Sequence, residues 1–163
     1  MLHVTTFTSP FGLLKVSASP KGIRQVLLPG RERNLVEETE VMDERYPILV
    51  QAMNELTEYF KGVRRTFSVP LDIDGTQFQM EVWSTLRNIA YGETATYGEL
   101  AKRIGRPNAA RAVGAANAAN PIPIILPCHR VIGATGLLTG YGGGVSLLYI
   151  KEGLLSLEKH EST

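Results

Sequence analysis

The stretch 96-TYGELAKRIGRPNAARAVGAANAAN-120 decides how the chain is read. Thr96 and Glu99 have capping-box spacing, in which a hydroxyl and a carboxylate tie down the free amides of a helix start. A helix over Tyr97–Ile104 should follow. Gly105, Arg106 and Pro107 break it, and a second helix is predicted from about Asn108 to Ala118. Two short helices joined by a glycine-containing turn outline a helix-turn-helix. The second helix is made of Ala109, Ala110, Ala112, Gly114, Ala115, Ala116 and Ala118, with one long charged residue, Arg111. Such a helix suits a tight core. It also suits an exposed face that must enter somewhere narrow, such as a DNA minor groove about 6 Å wide. Between Tyr97 and Arg130 the bases are Lys102, Arg103, Arg106, Arg111 and Arg130, and the only acid is Glu99. That excess is either a solvated basic face or an electrostatic footprint for phosphates.

Immediately downstream lies 120-NPIPIILPCHRV-131, which holds the only cysteine of the chain, Cys128. Each proline biases its predecessor away from helix. The run should therefore be extended, and Cys128 is not expected at a helix N-terminus. His129 is adjacent, but neighbours on an extended strand face opposite sides. Proton transfer between them would need a local turn or a bridging water. A carboxylate behind the histidine would orient it, and the last helix offers Glu152 and Glu158. A lone cysteine in an apolar run is equally at home as a small buried hydrophobe. The residues by themselves leave nucleophile and filler both open.

Working back toward the N-terminus, Thr76 and Gln79 form another capping-box pair. They open a helix with Phe78, Val82, Leu86 and Ile89 on one stripe and Trp83 beside it. Before Gly75 the character changes. LHVTTFT, LLKVSAS and IRQVLLP are short β-forming runs separated by SPFG and SPKG, which predicts an antiparallel meander. The acid-rich RERNLVEETEVMDER that follows reads as a solvated loop. Leu49, Met53, Leu56 and Phe60 then recur at helical spacing from Pro47 to about Lys61. FSVPLDI closes this half as a short extended piece. Two domains are expected, 1–74 structural and 75–163 carrying the chemistry. With 163 residues, 44% of them hydrophobic, and a net charge of +1, bulk charge points to no partner. A single cysteine excludes an internal disulfide framework and a cysteine-rich zinc site. The start lacks a signal-peptide profile, and no apolar run approaches the roughly 20 residues needed to span a membrane. These features predict a soluble protein of the cytoplasm, nucleoid-associated or, in a eukaryote, nuclear.

The chain resembles the O6-alkylguanine-DNA alkyltransferases, also called methylated-DNA–protein-cysteine methyltransferases. The resemblance rests on TYGELA at Thr96–Ala101, ARAVG at Ala110–Gly114, NPIPI at Asn120–Ile124, PCHRV at Pro127–Val131 and TGYGGG at Thr139–Gly144, in the family's order and spacing. It covers Gly75 to about Glu158; the first half is similar only in outline. The resemblance implies an α/β (α+β) fold. A small antiparallel sheet plus helix, RNase H-like, would be followed by a mostly helical domain with a winged helix-turn-helix.

It also implies roles. Cys128 would be the alkyl acceptor. His129 would act as base through a water, with Glu158 behind it. Tyr97 would help rotate the target nucleotide and donate a proton toward the guanine. Arg111 would fill the vacated base stack. Asn120 would brace the turn between the recognition helix and the active-site segment. Val131, Tyr141 and Gly142 would wall the guanine pocket. Thr96, Ala110, Ala112 and Gly114 would line the DNA-facing surface.

The implied partner is double-stranded DNA carrying O6-alkylguanine, with O4-alkylthymine a second candidate lesion. The protein would act as a monomer and need no cofactor. The thioether product resists water, so each molecule would act once. Two other classes fit parts of the pattern: a cysteine hydrolase with a Cys-His-Glu triad, and a module that only binds alkylation damage. Two features depart from the family's pattern. Gly142 stands where serine or alanine is frequent, and the segment VSLLY is a few residues longer. Some relatives hold a structural zinc in the first domain; His3 has no cysteine near it in sequence, so no metal is expected.

Overall fold

The structure is a computed structural model that describes residues 1–31, 39–136, 138 and 147–162. The chain divides into two compact units, Met1–Ile73 and Asp74–Thr163.

In the first unit, β1 (Leu2–Ser9), β2 (Gly12–Ser19) and β3 (Gly22–Leu27) form the expected antiparallel meander, with Ser9 opposite Gly12 and His3 opposite Ala18. The acid-rich segment is not all loop. Glu40–Met42 forms β4, which pairs parallel to β1 and gives the sheet the order β3-β2-β1-β4. Residues 32–38 of that segment lie outside the described residues. Helix α1 (Pro47–Phe60) packs on the sheet through Leu49, Ala52, Leu56 and Tyr59, all buried against a sheet face that includes Leu14, Val16, Ile23 and Val26. Glu55 is buried on the same helix. Its carboxylate accepts from Gln51, from the Ser68 hydroxyl and from the backbone amides of Ser68 and Val69. That clasp fixes the return segment, which reaches β3 as a single bridge between Ile23 and Leu71. A Cβ on Gly22 would meet the Pro70 backbone at 2.6 Å, so this approach requires glycine. His3, read as lacking metal partners, bonds to Asp43 through Nδ1 at 3.1 Å and stacks on Tyr46.

The second unit opens with α2 (Gln77–Leu86), whose Thr76–Gln79 capping box is complete. Next come a two-residue strand β5 (Ala95–Thr96), α3 (Tyr97–Arg103) and α4 (Ala110–Ala118). The Thr96 hydroxyl accepts from the Glu99 amide, but the reciprocal bond from Glu99 is not made, so this cap is half a box. Gly105, at φ 76°, ends α3: its amide bonds to Lys102 and that of Arg106 to Ala101. This is a Schellman stop. Asn108 belongs to the turn and not to α4. A 3₁₀ turn (Cys128–Arg130) leads into β6 (Val131–Ile132), which pairs parallel with β5, and α5 (Leu148–Ser162) closes the described chain. Trp83 anchors α4 to α2 by donating Nε1–H to the Ala116 carbonyl at 2.8 Å. Among the described residues no helix is long and apolar enough to cross a membrane.

Candidate active site

The segment before Cys128 is held by one side chain. Asn120 accepts from the Ile122 amide at 2.9 Å and donates Nδ2–H to the Leu126 carbonyl at 2.9 Å. Both ends of the loop are thereby pinned. Within the loop Ile124 has φ 75° and is buried. A β-branched residue there is an outlier that surrounding structure must enforce, and the Asn120 bonds supply that enforcement. The chain turns at Ile124 and Ile125, where the Leu126 amide reaches the Ile122 carbonyl, so it is not extended there. Cys128 begins a 3₁₀ turn, contrary to the extended run predicted from the prolines. The correction removes the geometric objection to a Cys128–His129 relay, because the two residues no longer alternate across a strand.

Cys128, His129 and Arg130 are all buried. His129 Nε2 donates to Glu158 at 2.6 Å. Arg130 grips the same carboxylate with two bonds, Nε at 2.8 Å and Nη2 at 3.0 Å, and gives Nη1 to the Ile89 carbonyl at 2.7 Å. A forked arginine–carboxylate pair with charge-assisted bonds is the strong form of this interaction. Burial alone would raise the Glu158 carboxyl, but His129 and Arg130 hold it well below the usual carboxylate range. Burial pushes His129 below its ordinary value, against the upward pull of Glu158. His129 is therefore neutral with its proton on Nε2, and Nδ1 keeps its lone pair. Nδ1 is buried with no hydrogen-bond partner among the described residues. That is the atom able to receive a proton relayed from Cys128.

Among the other residues named from sequence, Val131 is fully buried in β6. Glu152, the other carboxylate offered by the last helix, is exposed. Tyr97 starts α3, half-buried, and its ring lies close enough to α4 that a Cβ on Gly114 would sit 3.7 Å from it. On α4, Val113, Ala116 and Asn117 face inward, while Arg111, Ala112 and Ala115 are exposed and Ala110 is half-buried. The helix is thus neither wholly core nor bulky outside: its exposed face is small residues and one arginine. Arg130 leaves the basic surface, because it is buried in the Glu158 pair. Lys102, Arg103, Arg106 and Arg111 remain exposed. Tyr141, Gly142, the TGYGGG motif and the start of VSLLY lie outside the described residues.

Two contributors were not read from sequence. Asn117 donates Nδ2–H to the Cys128 carbonyl at 3.3 Å, tying α4 to the nucleophile's backbone. Lys151 is fully buried on α5. Its spacing of seven residues from Glu158, two helical turns, was the available signal.

Residues 77–160 match the family described as 6-O-methylguanine DNA methyltransferase, DNA binding domain, and residues 2–73 match its ribonuclease-like domain. The chain belongs to the 6-O-methylguanine DNA methyltransferase family. Within that family it is 46% identical over 158 residues to the methylated-DNA–protein-cysteine methyltransferase of Methanosarcina acetivorans, covering 96% of this chain and 98% of that protein. The Mycobacterium leprae protein of the same name is 44% identical over 167 residues, with 99% and 94% covered. The crystal structure of Mycobacterium tuberculosis OGT in complex with DNA superposes with a TM-score of 0.87 at 44% identity, covering 98% of this chain and 94% of that one. The two-domain methyltransferase fold, a ribonuclease-like sheet domain followed by a helical DNA-binding domain, is the fold expected from the resemblance.

Proposed function

We propose that the chain repairs DNA by taking the alkyl group of O6-alkylguanine onto Cys128 in a single turnover. The observation that carries the assignment is the buried Cys128–His129–Glu158 arrangement, in which His129 Nδ1 has no hydrogen-bond partner among the described residues. The exposed face of α4 suits the minor groove, because Ala112 and Ala115 allow close approach where larger side chains would clash. Extruding the base costs a few kcal/mol of stacking and pairing, and Arg111 entering the stack offsets part of it. Thr96, Ala110 and Gly114 line the same DNA-facing surface beside Tyr97.

The thiol proton passes through a water to His129 Nδ1. The sulfur attacks the alkyl carbon, an S–C bond forms and the C–O bond breaks. The electron pair goes to the guanine O6, and Tyr97 donates a proton toward the departing base. Val131, with Tyr141 and Gly142, shapes the guanine pocket. The product is a thioether, and the chemistry needs no cofactor. The same site is proposed to accept O4-alkylthymine. The protein acts as a monomer in the cytoplasm, where Cys128 stays reduced.

Duplex DNA carrying O6-methylguanine, supplied in excess, tests the reading. Restored guanine should rise to one equivalent per protein and stop. Continued turnover would indicate a hydrolase. Tight lesion binding with no restored guanine would indicate a damage-binding module. Arg111→Ala should slow transfer from duplex by about tenfold, equivalent to about 1.4 kcal/mol.

A further inference from the structure

The buried residues of α4 are Val113, Ala116 and Asn117. The first two are apolar, and Asn117 is the exception, at 8% exposed. Its Nδ2–H goes to the Cys128 carbonyl at 3.3 Å. That bond fixes which way the amide points, because an oxygen turned to the carbonyl would set acceptor against acceptor. Oδ1 is buried and has no hydrogen-bond partner among the described residues. A buried acceptor left without a donor is destabilising, and leucine would fill the same shape without that cost. His129 Nδ1 is in the same condition. The imidazole hydrogen lies on Nε2, toward Glu158, so Nδ1 is an acceptor as well. Both groups belong to the Cys128–His129 peptide: Asn117 is bonded to its carbonyl, and His129 supplies its nitrogen. Asn120 cannot serve either, since its amide is committed to the Ile122 and Leu126 backbone.

Two acceptors cannot satisfy each other. A water has two hydrogens to give and lone pairs to receive, and a buried water makes about three hydrogen bonds. We propose that one buried water donates to both Asn117 Oδ1 and His129 Nδ1, which makes Asn117 the positioning residue for the water that relays the Cys128 proton. The inference deepens the proposed function and rests on Cys128 being the acceptor there. With both of its hydrogens given, the water is left to accept from the thiol. As the proton moves, the S–H bond breaks and an O–H bond forms. The hydrogen facing Nδ1 leaves the oxygen, and an N–H bond forms. The bond to Oδ1 is unchanged throughout. The water stays in place and turns its new hydrogen to the sulfur anion. The charged and titratable groups at this turn are His129 and Arg130 on it and Glu158 and Lys151 on α5, which packs against it. Asn117 is neutral, so a change there alters no charge, and a shift in the ionisation of the thiol reports hydrogen bonding.

The rate of iodoacetamide labelling of Cys128, followed against pH in the full chain without DNA, tests the relay apart from alkyl transfer. Asn117→Leu keeps the shape of the side chain and removes both polar atoms. Its labelling midpoint should rise by about one pH unit, because a hydrogen bond to the thiolate is lost. Above that midpoint its rate should match the wild type. In a His129→Gln background the same substitution should move the midpoint far less, because both residues act through one water. An unchanged midpoint, a rate lowered equally at every pH, or full additivity with His129→Gln overturns the proposal. If Asn117→Leu does not fold, a high-resolution crystal structure of the wild type decides. One water should lie within hydrogen-bond distance of both Asn117 Oδ1 and His129 Nδ1, and no water common to the two overturns it. A shifted midpoint in a protein that takes no alkyl group from lesion DNA would sink the proposed function and leave the water's position standing.

Discussion

Among the described residues two glutamates are buried, one in each unit, and they are held in opposite ways. Glu55 accepts only neutral donors: an amide side chain, a hydroxyl and two backbone amides. Glu158 accepts from a guanidinium and an imidazole. Both carboxyls lie below their ordinary range, despite burial that by itself would raise them. The difference lies in what each passes on. Glu55 ends in backbone and fixes the position of a loop. Glu158 ends in a histidine, next in sequence to the only cysteine, whose other nitrogen has no partner among the described residues, so its charge sets the tautomer of a proton carrier. A buried carboxylate is thus a fastener or a part of the chemistry according to whether its partners titrate.

Removing each side chain sharpens the contrast. Glu158→Ala leaves Arg130 buried without its partner and should cost about 3–5 kcal/mol of stability. It should also slow alkyl transfer in the molecules that remain folded, because His129 loses its orientation. Chemical denaturation and single-turnover transfer measure the two effects. Glu55→Ala leaves two amides and a hydroxyl unsatisfied and should cost about 1–3 kcal/mol, with transfer per folded molecule unchanged. A Glu55 variant that slowed transfer would break the distinction.

Acid separates the sites further. Because both glutamates are depressed in the fold, the unfolded chain protonates first. Each site contributes stability that is complete above about pH 4.3 and is lost as pH falls through the lower folded value. His129 is also depressed, so stability already declines as pH falls below about 6.5. Melting temperature against pH should therefore drop in two stages. Glu55→Gln should flatten only the lower stage. His129→Gln should remove the upper one. The smallest effect is expected at the half-formed cap, where Thr96→Ala should cost about 1 kcal/mol.

Much of this was legible in sequence because it is local. The helix-turn-helix and the Thr76–Gln79 box lie in spacings of a few residues. Cys128, His129 and Asn120 sit in one short run, and Glu158 was drawn in by the family resemblance. Most of the misses are pairings between distant segments. Arg130 read as a surface base because its partner lies 28 residues on. Strand β4 has three exposed residues and no pattern of its own; it exists because β1 offers an edge. The 3₁₀ turn at Cys128 is set by the amide of Arg130 reaching the Pro127 carbonyl, a bond that proline spacing does not foretell. Lys151 showed only a helical phase relative to Glu158, and its full burial depends on how α5 packs.

The most direct measurement is the intact mass of the protein after incubation with duplex DNA containing O6-methylguanine, followed by mapping of the modified peptide. The predicted result is a gain of one methyl on the peptide holding Cys128, saturating at one per molecule and absent in Cys128→Ser. An unchanged mass while the DNA is repaired, or a methyl on any other residue, would contradict it.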